Sequence, residues 1–210
     1  MSIGAIRPAA RPRPIARDGA NPAPPAARPL TALEKHVSFF DGDGDGKIRL
    51  GETKAGLESL GVSKWMSGAQ ALFINFGLSF NVNGGPGFTL RLHDIHKGKH
   101  AADTGTYDKD GHFVSERYER IKTFDADKSG SLSWNEIKAL MKANGKNFFG
   151  RVAAFGEFSL LFRLAKDTTV TEGGKQVPAL SFDRLRQLYD GTLFYRLAGK
   201  PLPDWANQGQ

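Results

Sequence analysis

The chain has 210 residues, a formal net charge of +7 and no cysteine. Without cysteine it can hold no disulfide, iron–sulfur cluster, thiolate-ligated haem or cysteine zinc site, and a reducing, intracellular compartment is expected. Residues 1–30 carry +4 of the charge, from five Arg and one Asp. Because the positive excess lies largely in this segment, it does not predict nucleic-acid binding.

Three regions are expected along the chain. Residues 1–30 hold seven of the eleven prolines and cannot bury much apolar surface, which predicts a disordered arm. Residues 31–200 are expected to form one compact, mainly α domain of EF-hand-like helix–loop–helix pairs, and residues 201–210 a C-terminal tail. The longest apolar run, residues 71–82, is interrupted and is shorter than the ~20 apolar residues of a membrane span. The protein is expected to be cytoplasmic, and any contact with a membrane or lipid droplet is expected to be peripheral.

The folded region begins with a helix-start signal. Thr31 and Glu34 form a T-x-x-E capping box. A second helix is expected over residues 52–60 because a glycine follows it as a stop signal. Residues 65–82 fit either a helix or a strand, and residues 81–87, rich in Gly and Asn, predict a loop.

Helical patterns dominate the second half of the chain. Apolar residues recur at helical spacing after each predicted start. The predicted starts are Ser115, a second capping box of Ser133 and Glu136, and Ser181, and residues 150–166 predict an apolar helix.

An acidic loop at residues 41–52 matches the EF-hand calcium-binding pattern at every required position. Ca²⁺ takes about six to eight oxygen ligands, and this spacing offers carboxylates at positions 1, 3, 5 and 12 and a backbone carbonyl at position 7. Ile48, at position 8, is apolar, as strand pairing between EF loops requires. The predicted ligands are Asp41, Asp43, Asp45, Lys47 through its carbonyl, and Glu52.

A second loop at residues 125–136 departs from the pattern at position 5, where a serine replaces Asp or Asn. Its hydroxyl can still coordinate, but three carboxylates instead of four predict weaker calcium binding. The two loops are too far apart along the chain to pair directly. We therefore expect residues 65–95 to pair with the first loop and residues 157–190 with the second. The predicted ligands are Asp125, Asp127, Ser129, Ser131 through its carbonyl, and Glu136.

Four of the five histidines have no strong structural pattern around them. His93, His96 and His100 lie within eight residues, and the last two would share one face of a helix. Such a lysine- and glycine-rich segment is typical of a solvated surface, with a zinc or copper site as an alternative. His36 lies on the edge of the apolar face of the first helix, where a residue at the core boundary is expected.

Four segments of the chain are distinctive when they are taken together and in order. They are LEKHVSFFDGDGDGKIRLGET (33–53), IHKGKHAADTGTYDKDGHFV (95–114), NFFGRVAAFGEFSLLFRLAKD (147–167) and YDGTLFYRL (189–197). The first joins a histidine to an EF-hand loop, and the second contains two of the clustered histidines. Together, in this order, they resemble the caleosin family of plant-type peroxygenases.

The resemblance implies an enzyme that binds haem b and Ca²⁺ and uses organic hydroperoxides to oxygenate unsaturated fatty acids at lipid droplets or membranes. It assigns the haem function to His36 and His100, with a lesser role for His96. If both of the first two ligate iron, one must leave to admit a hydroperoxide. If only one does, the other can move the peroxide proton, and the sequence leaves open which histidine has which role. The family's central hydrophobic anchor is missing here. A non-enzymatic EF-hand protein of a lipid surface is the alternative.

Two further expectations concern the surroundings of His36. Asp41 follows it by little more than one turn on what is expected to be the same helix, so bound calcium should fix the imidazole in place. Phenylalanines could line an apolar acyl site, although ordinary core packing explains each of them equally well. The candidates are Phe39, Phe40, Phe73, Phe76 and Phe80.

Overall fold

The computed structural model describes residues 28–98, 105–144 and 148–207. Residues 1–27 of the predicted arm and the candidate haem residue His100 lie outside this range. The expectation of a mainly α fold is confirmed. Two small antiparallel sheets accompany the helices.

Most of the predicted helices are present with shifted ends, and the region that fitted a helix or a strand is a long helix. The helices are α1 (Ala32–Val37), α2 (Leu50–Ser59), α3 (Lys64–Asn83), α4 (Ser115–Lys122), α5 (Trp134–Asn144), α6 (Phe148–Ala165), α7 (Phe182–Asp190) and α8 (Leu193–Leu197). The strands are β1 (Lys47–Arg49), β2 (Thr89–Arg91), β3 (Ser131–Ser133), β4 (Thr168–Glu172) and β5 (Lys175–Ser181). Short 3-10 segments cover Ser38–Phe40, Leu92–Gly98 and Asp204–Asn207.

The strands connect each acidic loop to a second segment of the chain. β1, in the first loop, pairs antiparallel with β2 and places Ile48 opposite Leu90. β3, in the second loop, pairs with β5 and places Leu132 opposite Leu180. The partner strands come from the two segments expected from the sequence. Each loop is therefore supported by an apolar cross-strand pair, the unit that stabilises a small sheet.

The β4–β5 hairpin is a feature that the helix–loop–helix expectation overlooked. Gly173 and Gly174 join its strands with positive φ values of 54° and 77°. Two successive residues with positive φ form the tight turn that matches the twist of a hairpin. The flanking residues are rich in Val and Thr, which favour strands.

Both hydrophobic clusters of the described residues reach α1. The larger cluster gathers residues of α4, α5, α7 and α8, and the smaller one gathers residues of β1, α3, β2 and the following 3-10 segment. Leu33 packs against both of them. α1 is therefore held between the two parts of the core, and this fixes the helix that carries His36.

The buried face of α3 carries small and polar side chains at intervals of four residues. Asn75 is fully buried, and its amide donates to the carbonyls of Phe88 at 2.7 Å and Ile48 at 3.2 Å. Its side-chain oxygen accepts from Thr53 Oγ1 at 2.7 Å. Asn75 thus ties α3 to α2 and to the first acidic loop, and all its polar atoms are paired.

The outer face of α3 is apolar and exposed. Trp65 is 80% exposed, and four further large apolar side chains of α3 are each more than two-fifths exposed. These four side chains are Leu72, Phe73, Phe76 and Phe80.

Within the residues that the structure describes, no helix combines the length and the apolar character needed to cross a membrane.

Candidate functional site

Backbone contacts fix α1 at both of its ends. At the start, the Leu33 N–H donates to the carbonyl of Gly111 at 2.9 Å. At the end, Gly191 packs so closely that a Cβ added there would lie 2.6 Å from the carbonyl carbon of Lys35. Both glycines have left-handed φ values, of 88° and 86°, a conformation that other residues rarely adopt. Two turns therefore hold the short helix in place.

His36 projects from α1 against the C-terminal end of α7. Its Nδ1 lies 3.0 Å from the carbonyl oxygen of Leu188. Because a carbonyl only accepts, Nδ1 carries the proton and Nε2 has the lone pair. Burial lowers the pKa of His36 to about 4, although the hydrogen bond to Leu188 favours the charged form. The imidazole is therefore neutral at pH 7, and the side chain remains partly accessible.

Aromatic rings surround the imidazole. The ring centroid of Phe194 lies 5.1 Å from that of His36, and the centroid of Tyr107 lies 6.5 Å away. Phe39 packs on Phe194 at 5.7 Å and edge-on to Tyr195 at 5.2 Å. The segment YDGTLFYRL, which had no expected role in the site, thus supplies rings around it.

The other candidate histidines occupy different surroundings. His93 Nδ1 lies 3.1 Å from Glu34 Oε1. His96 lies in the 3-10 segment, where its Cβ is 3.6 Å from the position that a Cβ on Gly111 would take. It therefore sits beside the start of α1. His100 lies outside the described residues, so its expected place beside His36 stays a prediction.

Glu34 is a buried ionic group that the sequence identified only as a capping residue. It is 1% exposed, and besides His93 it binds the Thr31 N–H at 2.7 Å and the Arg28 guanidinium in a bidentate pair. Burial alone would raise its pKa, but the hydrogen bonds from Arg28, Thr31 and His93 lower the pKa of Glu34 to about 2. Arg28, assigned to the arm, is thus anchored to the fold.

The first acidic loop brings three carboxylates together. Oxygens of Asp41, Asp43 and Asp45 lie within 4.8 Å of one another. Asp41 Oδ2 accepts from the Gly46 N–H at 3.0 Å, whereas its Oδ1 is buried without a hydrogen-bond partner among the described residues. Burial and the neighbouring carboxylates raise the pKa of Asp41. A bound cation would satisfy this oxygen and relieve the repulsion, so the loop fits calcium.

Arg49, at position 9 of the same loop, reaches back over these carboxylates. Its guanidinium lies 3.2 Å from Asp43 Oδ2, 2.5 Å from Asp45 Oδ2 and 3.4 Å from Glu52 Oε2. Glu52 also accepts the N–H groups of Arg49 at 2.8 Å and Gly42 at 3.0 Å. Sequence reasoning overlooked this residue, although its position inside the loop was a visible signal.

The second loop has a similar but less charged arrangement. Oxygens of Asp125, Asp127 and Glu136 lie within 4.8 Å of one another. Ser129 Oγ lies 3.3 Å from both Asp125 Oδ1 and the carbonyl of Ser131. The serine hydroxyl therefore points at the same oxygens that would surround a cation.

The five phenylalanines expected to line one acyl site fall into separate groups, so that expectation is wrong. Phe39 and Phe40 pack against Phe194, next to His36. Phe76 and Phe80 pack edge-on against each other at 5.1 Å on the exposed face of α3. Phe73, 65% exposed, belongs to that face. The division arises because the inner face of α3 is taken by small residues.

The surroundings of His36 fit haem in their chemistry. With no cysteine in the chain, imidazole is the expected nitrogen ligand for haem iron. The hydrogen bond to Leu188 gives Nε2 the lone pair that such a bond needs, and it is the backbone partner that iron-ligating histidines commonly have. The neighbouring rings of Phe194 and Tyr107 suit an apolar macrocycle.

Comparisons with known proteins identify a family and several relatives. A sequence model of the family described as "Caleosin related protein" matches residues 28–198. "Probable peroxygenase 4" of Arabidopsis thaliana is 36% identical over 172 residues, 79% of this chain and 84% of that protein. "Peroxygenase" of Lilium longiflorum is 29% identical over 175 residues, 80% of this chain and 70% of that protein.

A third relative carries a different name. The "Probable inactive peroxygenase-like protein" of Arabidopsis thaliana is 33% identical over 150 residues, 69% of each chain. No solved structure matches the chain.

Proposed function

Because the chain belongs to the caleosin family, we propose that it is a haem-dependent, calcium-dependent peroxygenase. It would transfer one oxygen from an organic or fatty acid hydroperoxide to an unsaturated fatty acid or a similar apolar substrate. Two relatives named peroxygenases, each matching about four-fifths of the chain, support the reaction class.

The observation that carries the proposal is the hydrogen bond between His36 Nδ1 and the Leu188 carbonyl. Burial keeps the imidazole neutral, and this hydrogen bond leaves its lone pair on Nε2, which is the form that binds iron or accepts a proton from a peroxide. When bound, haem would supply the oxygen-transfer chemistry. His36 and His100 would share two tasks, which are holding the haem and moving the peroxide proton.

Calcium would act on this site through the packing of the first acidic loop. The expectation of one continuous helix from His36 to Asp41 is wrong, because α1 ends at Val37 and a 3-10 turn, Ser38–Phe40, follows. A bound ion would instead act on the surroundings of His36 by ordering that 3-10 turn. Phe40, its last residue, packs against Phe194 beside His36, with ring centroids 5.5 Å apart.

The exposed face of α3 supports a lipid surface as partner. Trp, Phe and Leu side chains on one face of a helix are typical of helices that lie in a membrane interface. Lys64 provides a cation at the start of this helix. Apolar substrates dissolved in a lipid phase would reach the protein there.

The proposal is tested by following the oxygen atom. The full chain is reconstituted with haemin and given an unsaturated fatty acid and a hydroperoxide whose peroxide oxygens carry a heavy isotope. We expect the label to appear in an epoxide at a rate that falls on adding a calcium chelator. An epoxide whose oxygen comes from air or water, or none at all, would exclude peroxygenase activity.

The alternative is a non-enzymatic calcium-binding protein of a lipid surface. The relative named an inactive peroxygenase-like protein supports it, as do the two acidic loops, which require no haem. On this alternative the chain would bind calcium and vesicles but show no saturable Soret band with haemin.

A further inference from the structure

The segment YDGTLFYRL, residues 189–197, resembles the family pattern but holds none of the expected ligands. It runs from the last turn of α7 into α8. His36 lies against it through Leu188, the residue just before it, and through Phe194. The connection between α7 and α8 is therefore in direct contact with the imidazole.

The Leu188 carbonyl lies at the end of a helix and is available to accept a hydrogen bond. α7 ends at Asp190, so Leu188 is among the last four carbonyls, which have no partner inside the helix. Within residues 28–98, 105–144 and 148–207, the other donor to this carbonyl is the Gly191 N–H, at the long distance of 3.4 Å. The negative end of the α7 dipole lies at the same place. A donor is therefore favoured here, and Nδ1 of His36 is that donor.

Gly191 allows α1 to approach α7 closely enough for the 3.0 Å distance between His36 Nδ1 and the Leu188 carbonyl oxygen. A Cβ at this position would lie 2.6 Å from the carbonyl carbon of Lys35 and 2.8 Å from its carbonyl oxygen. Because both atoms belong to the backbone of α1, no side-chain movement could relieve the overlap. Any other residue at position 191 would push α1 away from α7 and stretch the bond at His36.

The turn is fixed by its own side chains. Asp190 Oδ1 accepts from the Thr192 N–H at 2.8 Å and from Thr192 Oγ1 at 2.7 Å. Tyr195 OH lies 3.3 Å from Ser38 Oγ, which gives the segment a second attachment just after α1. The position of the Leu188 carbonyl relative to α1 is thus determined by several independent contacts.

We propose that the turn formed by residues 188–195 is the positioning element for His36, with the Leu188 carbonyl selecting the Nδ1–H tautomer and Gly191 setting the approach of α1 to α7. This inference deepens the proposed function and rests on it for its purpose. The contact itself exists without haem, so it can be tested separately from haem binding.

The test is nitrogen NMR of the histidine rings in the haem-free full chain at neutral pH. His36 is identified by the signal that disappears in His36→Asn. Gly191→Ala is compared with Gly61→Ala, a matched control because Gly61 also follows a helix with a φ of 86° but has nothing within 4 Å of an added Cβ. We expect one Nδ1–H tautomer in the wild type and in Gly61→Ala, and a mixture of tautomers in Gly191→Ala.

Two results would overturn the inference. One is a Gly191→Ala spectrum in which His36 keeps the same single tautomer as in Gly61→Ala. The other is a wild-type His36 that carries its proton on Nε2, and this result decides the matter even if Gly191→Ala does not fold. A correct tautomer in a chain that fails to bind haemin would reject the proposed function and leave the positioning role intact.

Discussion

Gly56 of α2 lies directly against the ring of Phe40, and no space remains there for a Cβ. Phe40 immediately precedes Asp41, the first residue of the acidic loop, and α2 contains Glu52, the last. The contact therefore joins the two ends of the loop. It also places the ordered loop against the rings that surround His36.

The Gly56 contact predicts opposite effects for two similar substitutions. Gly56→Ala forces a methyl group into the Phe40 ring, and overpacking of this kind costs about 1–3 kcal/mol. Gly77→Ala changes an exposed mid-helix glycine with open space around it, which stabilises a helix by up to about 1 kcal/mol. Thermal unfolding should thus show a lower midpoint for the first and a higher one for the second. Equal midpoints would mean that the contact is loose.

The contacts of Arg49 predict that the first acidic loop binds calcium more tightly when this arginine is replaced. The guanidinium neutralises three carboxylates and must leave before they can surround an ion. Arg49→Gln should raise the calcium affinity of the first loop several-fold in a calorimetric titration. Arg91→Gln is the control, because Arg91 lies on the paired strand and contacts Asp94 instead.

Arg49 also affects the difference in calcium affinity between the two loops. The first loop has the larger number of carboxylates, but Arg49 removes part of that advantage. The predicted weaker binding of the second loop should therefore become more pronounced in Arg49→Gln. An unchanged affinity of the first loop in this variant would show that the guanidinium swings away at no cost.

Buried titratable groups predict that the haem-free protein is sensitive to acid. The folded pKa of His36, about 4, lies below its ordinary value of 6.5, so the unfolded chain takes up this proton first. The free energy of unfolding should therefore fall as the pH drops from about 6.5 to 4. Glu34, with a pKa of about 2 against 4.5, should extend the fall from about 4.5 towards 2.

Two variants separate these windows in urea unfolding measured across pH. His36→Asn keeps a donor for the Leu188 carbonyl but does not titrate, so it should flatten the upper window only. Glu34→Gln should flatten the lower window only. If the free energy of unfolding of His36→Asn falls between about pH 6.5 and 4 with the same slope as in the wild type, another group causes this fall.

The exposed face of α3 predicts reversible binding to lipid. Phe73→Ser and Phe80→Ser each remove an exposed ring from this face, and burial of such a ring contributes about 1.5–3 kcal/mol. Each should weaken cosedimentation with phosphatidylcholine vesicles more than tenfold. Phe155→Ser, which changes an exposed ring on α6, should bind as the wild type does. A face that instead joins two copies of the chain would give a dimer in sedimentation and no lipid binding.

Local rules predicted the acidic loops and the helix caps, because their residues lie within a few positions of one another. The partner of His36 is 152 residues away and is a backbone carbonyl, which no side-chain pattern reveals. α3 was ambiguous because its buried face carries Ser67, Ala71, Asn75 and Ser79 while its aromatic side chains face outward. This order reverses the usual amphipathic pattern, in which the large apolar residues point to the core.

The haem role of His36 is tested most directly by haemin titration of the full chain, followed through the Soret band. His112→Asn is the control, because His112 is an exposed turn histidine. We expect a saturable one-to-one band in the wild type and in His112→Asn, and a shifted or much weaker band in His36→Asn. The same band and the same affinity in all three proteins would exclude a haem role for His36.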